Sequence, residues 1–141
     1  MSELAVSECS FEASLDIGEG DINAILSAVS VPSTDVLVND KGVYFDKITV
    51  MIASGSTVVL TTTPPGANSS TGELLVPDTI DIEGTAEDIL DSDNKKAVQK
   101  NDSGSKILTF TFPAPHGATV TYPVNVTVKV SDAGQADVIA N

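Results

Sequence analysis

From residue 120 to residue 130 every second side chain is apolar: Val120, Tyr122, Val124, Val126, Val128 and Val130 alternate with Thr121, Pro123, Asn125, Thr127 and Lys129. A strand turns successive side chains to opposite faces, so this period of two predicts a strand with one dry and one wet face, as in an antiparallel sheet. Pro123 has no N–H to give to a ladder, which places that end of the strand at an edge or a bulge.

The same rhythm recurs upstream. Residues 9–17 set Cys9, Phe11, Ala13, Leu15 and Ile17 against Ser10, Glu12, Ser14 and Asp16, predicting a strand with one buried face. Gly18-Glu19-Gly20 ends it, and Asp21 is placed to cap a short helix through Ile22, Ala24, Ile25, Leu26 and Val29 before Pro32. Residues 34–38 and 43–52 read as a hairpin about Asn39-Asp40-Lys41-Gly42, with Ile48, Val50 and Ile52 on one face. Residues 57–62 form a further strand that stops at Pro64-Pro65-Gly66, and residues 67–72 are small and polar, as in a mobile loop.

Residues 74–83 are extended, with Ile80 and Ile82 inward and Thr79, Asp81 and Glu83 outward. Thr85 and Asp88 have the spacing of a capping box, predicting one or two helical turns over residues 86–90. A polar stretch follows, extended at most over residues 95–99. Residues 107–112 form a strand with Leu108, Phe110 and Phe112 on one face, broken by Pro113-Ala114-Pro115-His116-Gly117, and residues 137–140 supply a last edge strand. The expectation is one all-β domain over residues 1–141, mainly antiparallel, built as a sandwich, a barrel or an irregular β cone, with at most one or two short helices. Residues 64–73 and 91–105 are its expected exposed loops. Residues 31–38 echo residues 76–83, which reads as the common grammar of strand starts more readily than as a duplicated unit.

Composition narrows the function. The chain is 41% hydrophobic with no Trp, and twenty acidic residues face seven lysines and no arginine, a net charge of −13. Nucleic acid and anionic membrane surfaces call for a basic face, so neither suits this chain as a partner. The acidic excess serves solubility, or else a cation-binding or basic-partner surface. Cys9 is the single cysteine, which rules out an internal disulfide. No signal-peptide core opens the sequence and no run is long enough to span a bilayer, so the expected route is synthesis in the cytoplasm followed by assembly into a particle.

Residues for chemistry are sparse. His116 is the one histidine and sits in the proline-rich turn, and Cys9 falls on an apolar strand face, so a hydrolase built on a nucleophile and a base has no support. One Cys and one His cannot fill a zinc shell without carboxylates or symmetry mates. Asp88, Asp91, Asp93, Asn94 and Asp102 offer oxygen ligands without the EF-hand spacing, which reads as a solvated loop, with Ca²⁺ as the minority reading. Gly18-Glu19-Gly20 lacks the third glycine of a phosphate loop, the sequons at Asn68, Asn101 and Asn125 carry meaning only after export, and no carboxylate pair stands out for glycoside chemistry. No catalytic or cofactor-binding residue is expected.

Cys9 followed by a Gly-containing turn to Gly20, then Pro32-Ser33-Thr34-Asp35-Val36-Leu37-Val38-Asn39-Asp40-Lys41-Gly42, and later Ile82-Glu83-Gly84-Thr85-Ala86 running to Lys95-Lys96-Ala97-Val98 and Asn101-Asp102, resemble the PAAR-like spike-tip proteins of phage tails and contractile injection systems. The resemblance covers about half the chain. It implies a small β cone seated on a trimeric spike that it sharpens for membrane puncture. The family's several metal-binding His and Cys, and its Pro-Ala-Ala-Arg motif, are absent. The expected function is that of a non-enzymatic structural assembly protein of a phage particle or injection apparatus, oligomeric with itself or with other subunits, associating through β surface. The alternative is a surface-displayed immunoglobulin-like binding module whose acidic loops take Ca²⁺ or a basic partner, and an acidic carbohydrate-active enzyme comes third.

Overall fold

Residues 2–140 are described by a computed structural model, and strands dominate it. In chain order they are β1 (Ser2–Glu3), β2 (Ser10–Leu15), β3 (Gly20–Asn23), β4 (Leu26–Ala28), β5 (Leu37–Val38), β6 (Lys41–Gly42), β7 (Lys47–Ile52) and β8 (Thr57–Leu60). Then come β9 (Thr71–Glu73), β10 (Asp78–Glu83), β11 (Ala86–Leu90), β12 (Lys96–Ala97), β13 (Ser103–Pro113), β14 (Thr119–Asp132) and β15 (Ile139–Ala140). The one helical element among the described residues is a 3-10 turn at Pro115–Gly117, and no helix is long and apolar enough to cross a membrane.

Every ladder is antiparallel. A six-stranded sheet has the order β2-β14-β13-β9-β8-β3, and a three-stranded sheet the order β10-β7-β4. The two are joined by three bent segments, since β3 runs into β4, β7 into β8 and β9 into β10. Together they wrap a nearly closed, barrel-like wall around Phe110, Phe112, Ile48, Val50, Ile80 and Val126, all at most 2% exposed. The period of two is thus an inward row on each wall strand, removed from water at about 25 cal/mol per Å².

Ser56 holds the bends together. It is fully buried; its Oγ accepts the Ile25 N–H at 3.0 Å and donates to the Ala53 carbonyl at 2.9 Å, while its own carbonyl accepts the Leu74 N–H at 2.8 Å. Three bent strands therefore meet at one residue, two of them at its hydroxyl and the third at its carbonyl. Ser56→Ala leaves the Ile25 N–H without its acceptor and is expected to cost about 1–2 kcal/mol, read as a lower urea midpoint with an unchanged slope.

A smaller layer of short ladders closes one end. β1 pairs with β15, β5 with β6 and β11 with β12, and Leu4, Val6, Val38, Val43, Ala86 and Ala97 pack between them. Asn39 and Asp40 both have positive φ, 54° and 65°, which suits the two-residue hairpin loop that joins β5 to β6.

Several expectations are corrected. The helix expected after Asp21 is the bent strand β3–β4, because Ile22, Ala24, Leu26 and Ala28 already alternate with period two and point inward. Residues 86–90 are strand β11, not helical turns; the Thr85 hydroxyl donates to the Asp102 carboxylate and accepts from the Gln99 side chain instead of capping. Ile17 is fully exposed in the turn beyond β2. The expected hairpin of residues 34–38 with 43–52 is not formed: β5 pairs with the short β6, Asp46 turns the chain at φ 69°, and the long strand starts at Lys47 and pairs with β10 and β4.

The expected loop at 64–73 ends in strand β9, whose Gly72 is buried under the Phe112 ring. The expected loop at 91–105 contains β12, buried Val98 and Asp102, and the start of β13. Pro123 behaves as expected from its missing N–H: it lies beside Thr109 of β13, while β2 reaches only to the pair Leu15 and Val126, leaving the other side of Pro123 unpaired.

Candidate functional site

Two lines of the wall carry no ladder: along one β10 packs closely on β13, and the other lies open beside β2. β2 and β3 are the two ends of the large sheet and β4 is an end of the small one, and no ladder joins β2 to either. Bond directions show what each edge presents. Val130 exchanges bonds with Asn101 and Asp102 on the β13 side, so alternation turns Lys129 and Thr127 toward β2, where they lie opposite Glu12 and Ser14. The N–H and C=O groups of Phe11, Ala13 and Leu15 consequently point out of the sheet. Across the gap, Ile25 and Val29 are bonded to Ala53 and Thr49 on the β7 side, which by the same rule leaves Leu26 and Ala28 facing β2.

Side chains along the gap tell the same story. Phe11, Ala13, Leu15, Ile22, Ala24, Leu26 and Ala28 all pack on the core yet remain half-buried, whereas Ile48, Val50, Ile52, Ile82, Val126 and Val128 elsewhere on the wall are fully buried. The seam opens into a cleft of about 490 Å³ lined by Cys9, Phe11, Ala24, Leu26, Ala28 and Tyr44. Glu8 lies on its wall, Glu12, Asp16, Glu19 and Asp21 follow along the two strands and their turn, and Asp132 stands beside Cys9. Two cations answer them: Lys41 pairs with Glu8 at 3.0 Å and Lys129 with Glu12 at 3.7 Å.

Burial pushes the Cys9 thiol up to about 11, with the Asp132 charge adding to the rise and a backbone hydrogen bond opposing it. Against an ordinary thiol at 9.0, Cys9 holds about a hundredfold less thiolate near neutral pH, partly offset by the greater nucleophilicity of a more basic sulfur. Alkylation by iodoacetamide at pH 8 is therefore expected to run roughly tenfold slower in the folded protein than in urea. Equal rates in the two states would show that the thiol is solvated.

The residues singled out for chemistry are spread apart. Cys9 lies where β2 meets the Asp132 end of β14, and His116 is exposed in the turn before the Thr119 end. Fourteen residues of strand separate those ends, on the order of 40 Å, so Cys9 and His116 of one chain do not fit a shared metal ion. The Asp91 carboxylate is occupied by the N–H groups of Asp93 and Lys95, and Asp102 is buried against Thr85 and the Gln99 N–H. Among the described residues, no group of three or more His, Cys, Asp or Glu side chains is placed to hold a metal ion.

Sequence reasoning placed β2 but missed the edge opposite it. Outward Ile25 and Val29 gave residues 21–29 a helical look, although Ile22, Ala24, Leu26 and Ala28 carried the signal for a strand. No family model matches the chain, and no curated protein or solved structure matches it either.

Proposed function

We propose that the chain is a non-catalytic structural subunit of a larger particle, in the class of phage tails and contractile injection machines, and that it associates through its open β seam. One observation carries the reading: most of the core residues left half-buried lie along β2, β3 and β4, beside backbone groups that no strand among the described residues pairs. Such an edge is a template for another chain, and covering it removes apolar surface from water while pairing exposed N–H and C=O groups. The PAAR-like resemblance supports the particle. The chain's own charge of −13 favours a different protein over a second copy as neighbour.

The test is fractionation of cells that make the protein. Sedimenting particles are expected to contain the chain in fixed ratio to sheath or spike proteins, and the genes beside its own to encode such components. A chain found wholly in the slowly sedimenting fraction, as a monomer at micromolar concentration, would overturn the reading.

A further inference from the structure

Resting on the assembly reading, we infer that the seam receives one extended segment of a partner protein, apolar on its inner face and cationic on its outer face, which pairs antiparallel with β2. The backbone defines the strand character of the occupant. Phe11, Ala13 and Leu15 present alternating N–H and C=O groups at strand spacing, and only another extended backbone answers such a row in register. Its length is at most that of β2, whose six residues span about 20 Å, and the seam is widest at the Cys9 and Phe11 end.

The half-buried row sets the inner face. Phe11, Leu15, Leu26 and Ala28 leave an apolar floor, so every second residue of the occupant is aliphatic. The rim sets the outer face. Among the described residues the cations paired with Glu8, Glu12, Asp16, Glu19, Asp21 and Asp132 are Lys41, on Glu8, and Lys129, on Glu12, and the alternate positions accordingly carry lysine or arginine. A second copy of this chain brings the wrong charge and has no arginine at all.

Direction is also fixed. β2 and β4 run opposite ways around the wall, so an inserted strand antiparallel to one is parallel to the other. β2 offers three outward residues where β4 offers two, and antiparallel bonds are the stronger kind, which selects β2 as the antiparallel partner.

The probe is a capped seven-residue peptide alternating lysine and valine, added at up to millimolar concentration. Amide hydrogen exchange at Phe11, Ala13 and Leu15 is expected to slow at least tenfold, and Cys9 alkylation to slow with it. The same peptide with glutamate for lysine is expected to do neither. Ala13→Pro deletes an N–H that points into the seam and leaves the β14 ladder untouched; with Val126 and Val128 amides still protected, it is expected to abolish the effect. Should Ala13→Pro not fold, a peptide N-methylated at alternate residues asks the same question from the other side.

No slowing with the lysine peptide, equal slowing with the glutamate peptide, or full slowing in Ala13→Pro each overturns the inference. Particles separate it from the assembly reading. If the native chain enters particles and folded Ala13→Pro enters them equally well, the inserted strand is wrong and assembly stands. If the native chain enters none while the lysine peptide protects the seam, assembly falls and the seam's preference for a cationic strand stands.

Discussion

Gly104→Ala is expected to lower stability by about 3 kcal/mol or more, although it adds a single methyl group. Gly104 belongs to the inward row of β13, beyond Leu108, Phe110 and Phe112, at the place where β10 crosses close to it. A Cβ there would stand 1.9 Å from the Asp81 carbonyl oxygen and 2.9 Å from its carbon. Neither atom can swing away as a side-chain tip would. Asp81 lies in the middle of the β10–β7 ladder, and β10 is tied to β13 by Lys106, whose ammonium reaches Asp78 at 2.8 Å and the Thr79 carbonyl at 3.2 Å.

The added methyl must therefore push the two sheets apart along the strand. Ser103→Ala, one residue earlier and exposed, serves as the control and is expected to stay within about 0.5 kcal/mol. Urea unfolding of the pair is the measurement. A Gly104→Ala loss below about 1 kcal/mol would show that β10 and β13 do not approach as closely as described.

Gly104 also shows where sequence reading stops. The polar run around it, Asn101-Asp102-Ser103-Gly104-Ser105, has the chemistry of a loop, and the reason for its glycine is a strand more than twenty residues upstream. By contrast, Val120 to Val130, Leu108 to Phe112 and Ile48 to Ile52 declared their inward faces through local alternation alone, and each became a wall strand with that face buried or half-buried. The two expected helices failed for related reasons. Thr85 and Asp88 had capping spacing, but the Thr85 hydroxyl is engaged by Asp102 and Gln99, contacts that no local window contains. Residues 21–29 looked helical because Ile25 and Val29 are apolar on the wet side, where they are 57% and 51% exposed.

That same misreading hid the seam. One of its edges, Ser10–Leu15, was plain in the sequence, while the other was assigned to a helix that has no edge to offer. An open line between two strands is a relation, and it becomes visible only when both strands and their neighbours are placed.

Phe110→Ala is expected to have the other large effect, about 3–5 kcal/mol, or a fall in Tm of roughly 10–15 °C for a chain of this size. The Phe110 ring is fully buried between the two sheets, flanked along its row by Leu108 and by Phe112, which meets Tyr122 edge to face with centroids 6.4 Å apart. Its removal leaves a cavity that strands fixed by ladders on both sides cannot collapse. Phe11→Ala gives the comparison that matters. Phe11 faces the same core from the seam but is only half-buried, so about half the loss is expected, near 2 kcal/mol. With a bound strand covering the seam, Phe11→Ala is expected to rise toward the Phe110 value, whereas Phe110→Ala stays where it was. Equal costs for the two substitutions in the isolated chain would mean that β2 already closes on β3 and β4 in solution, and that no partner is needed to finish the core.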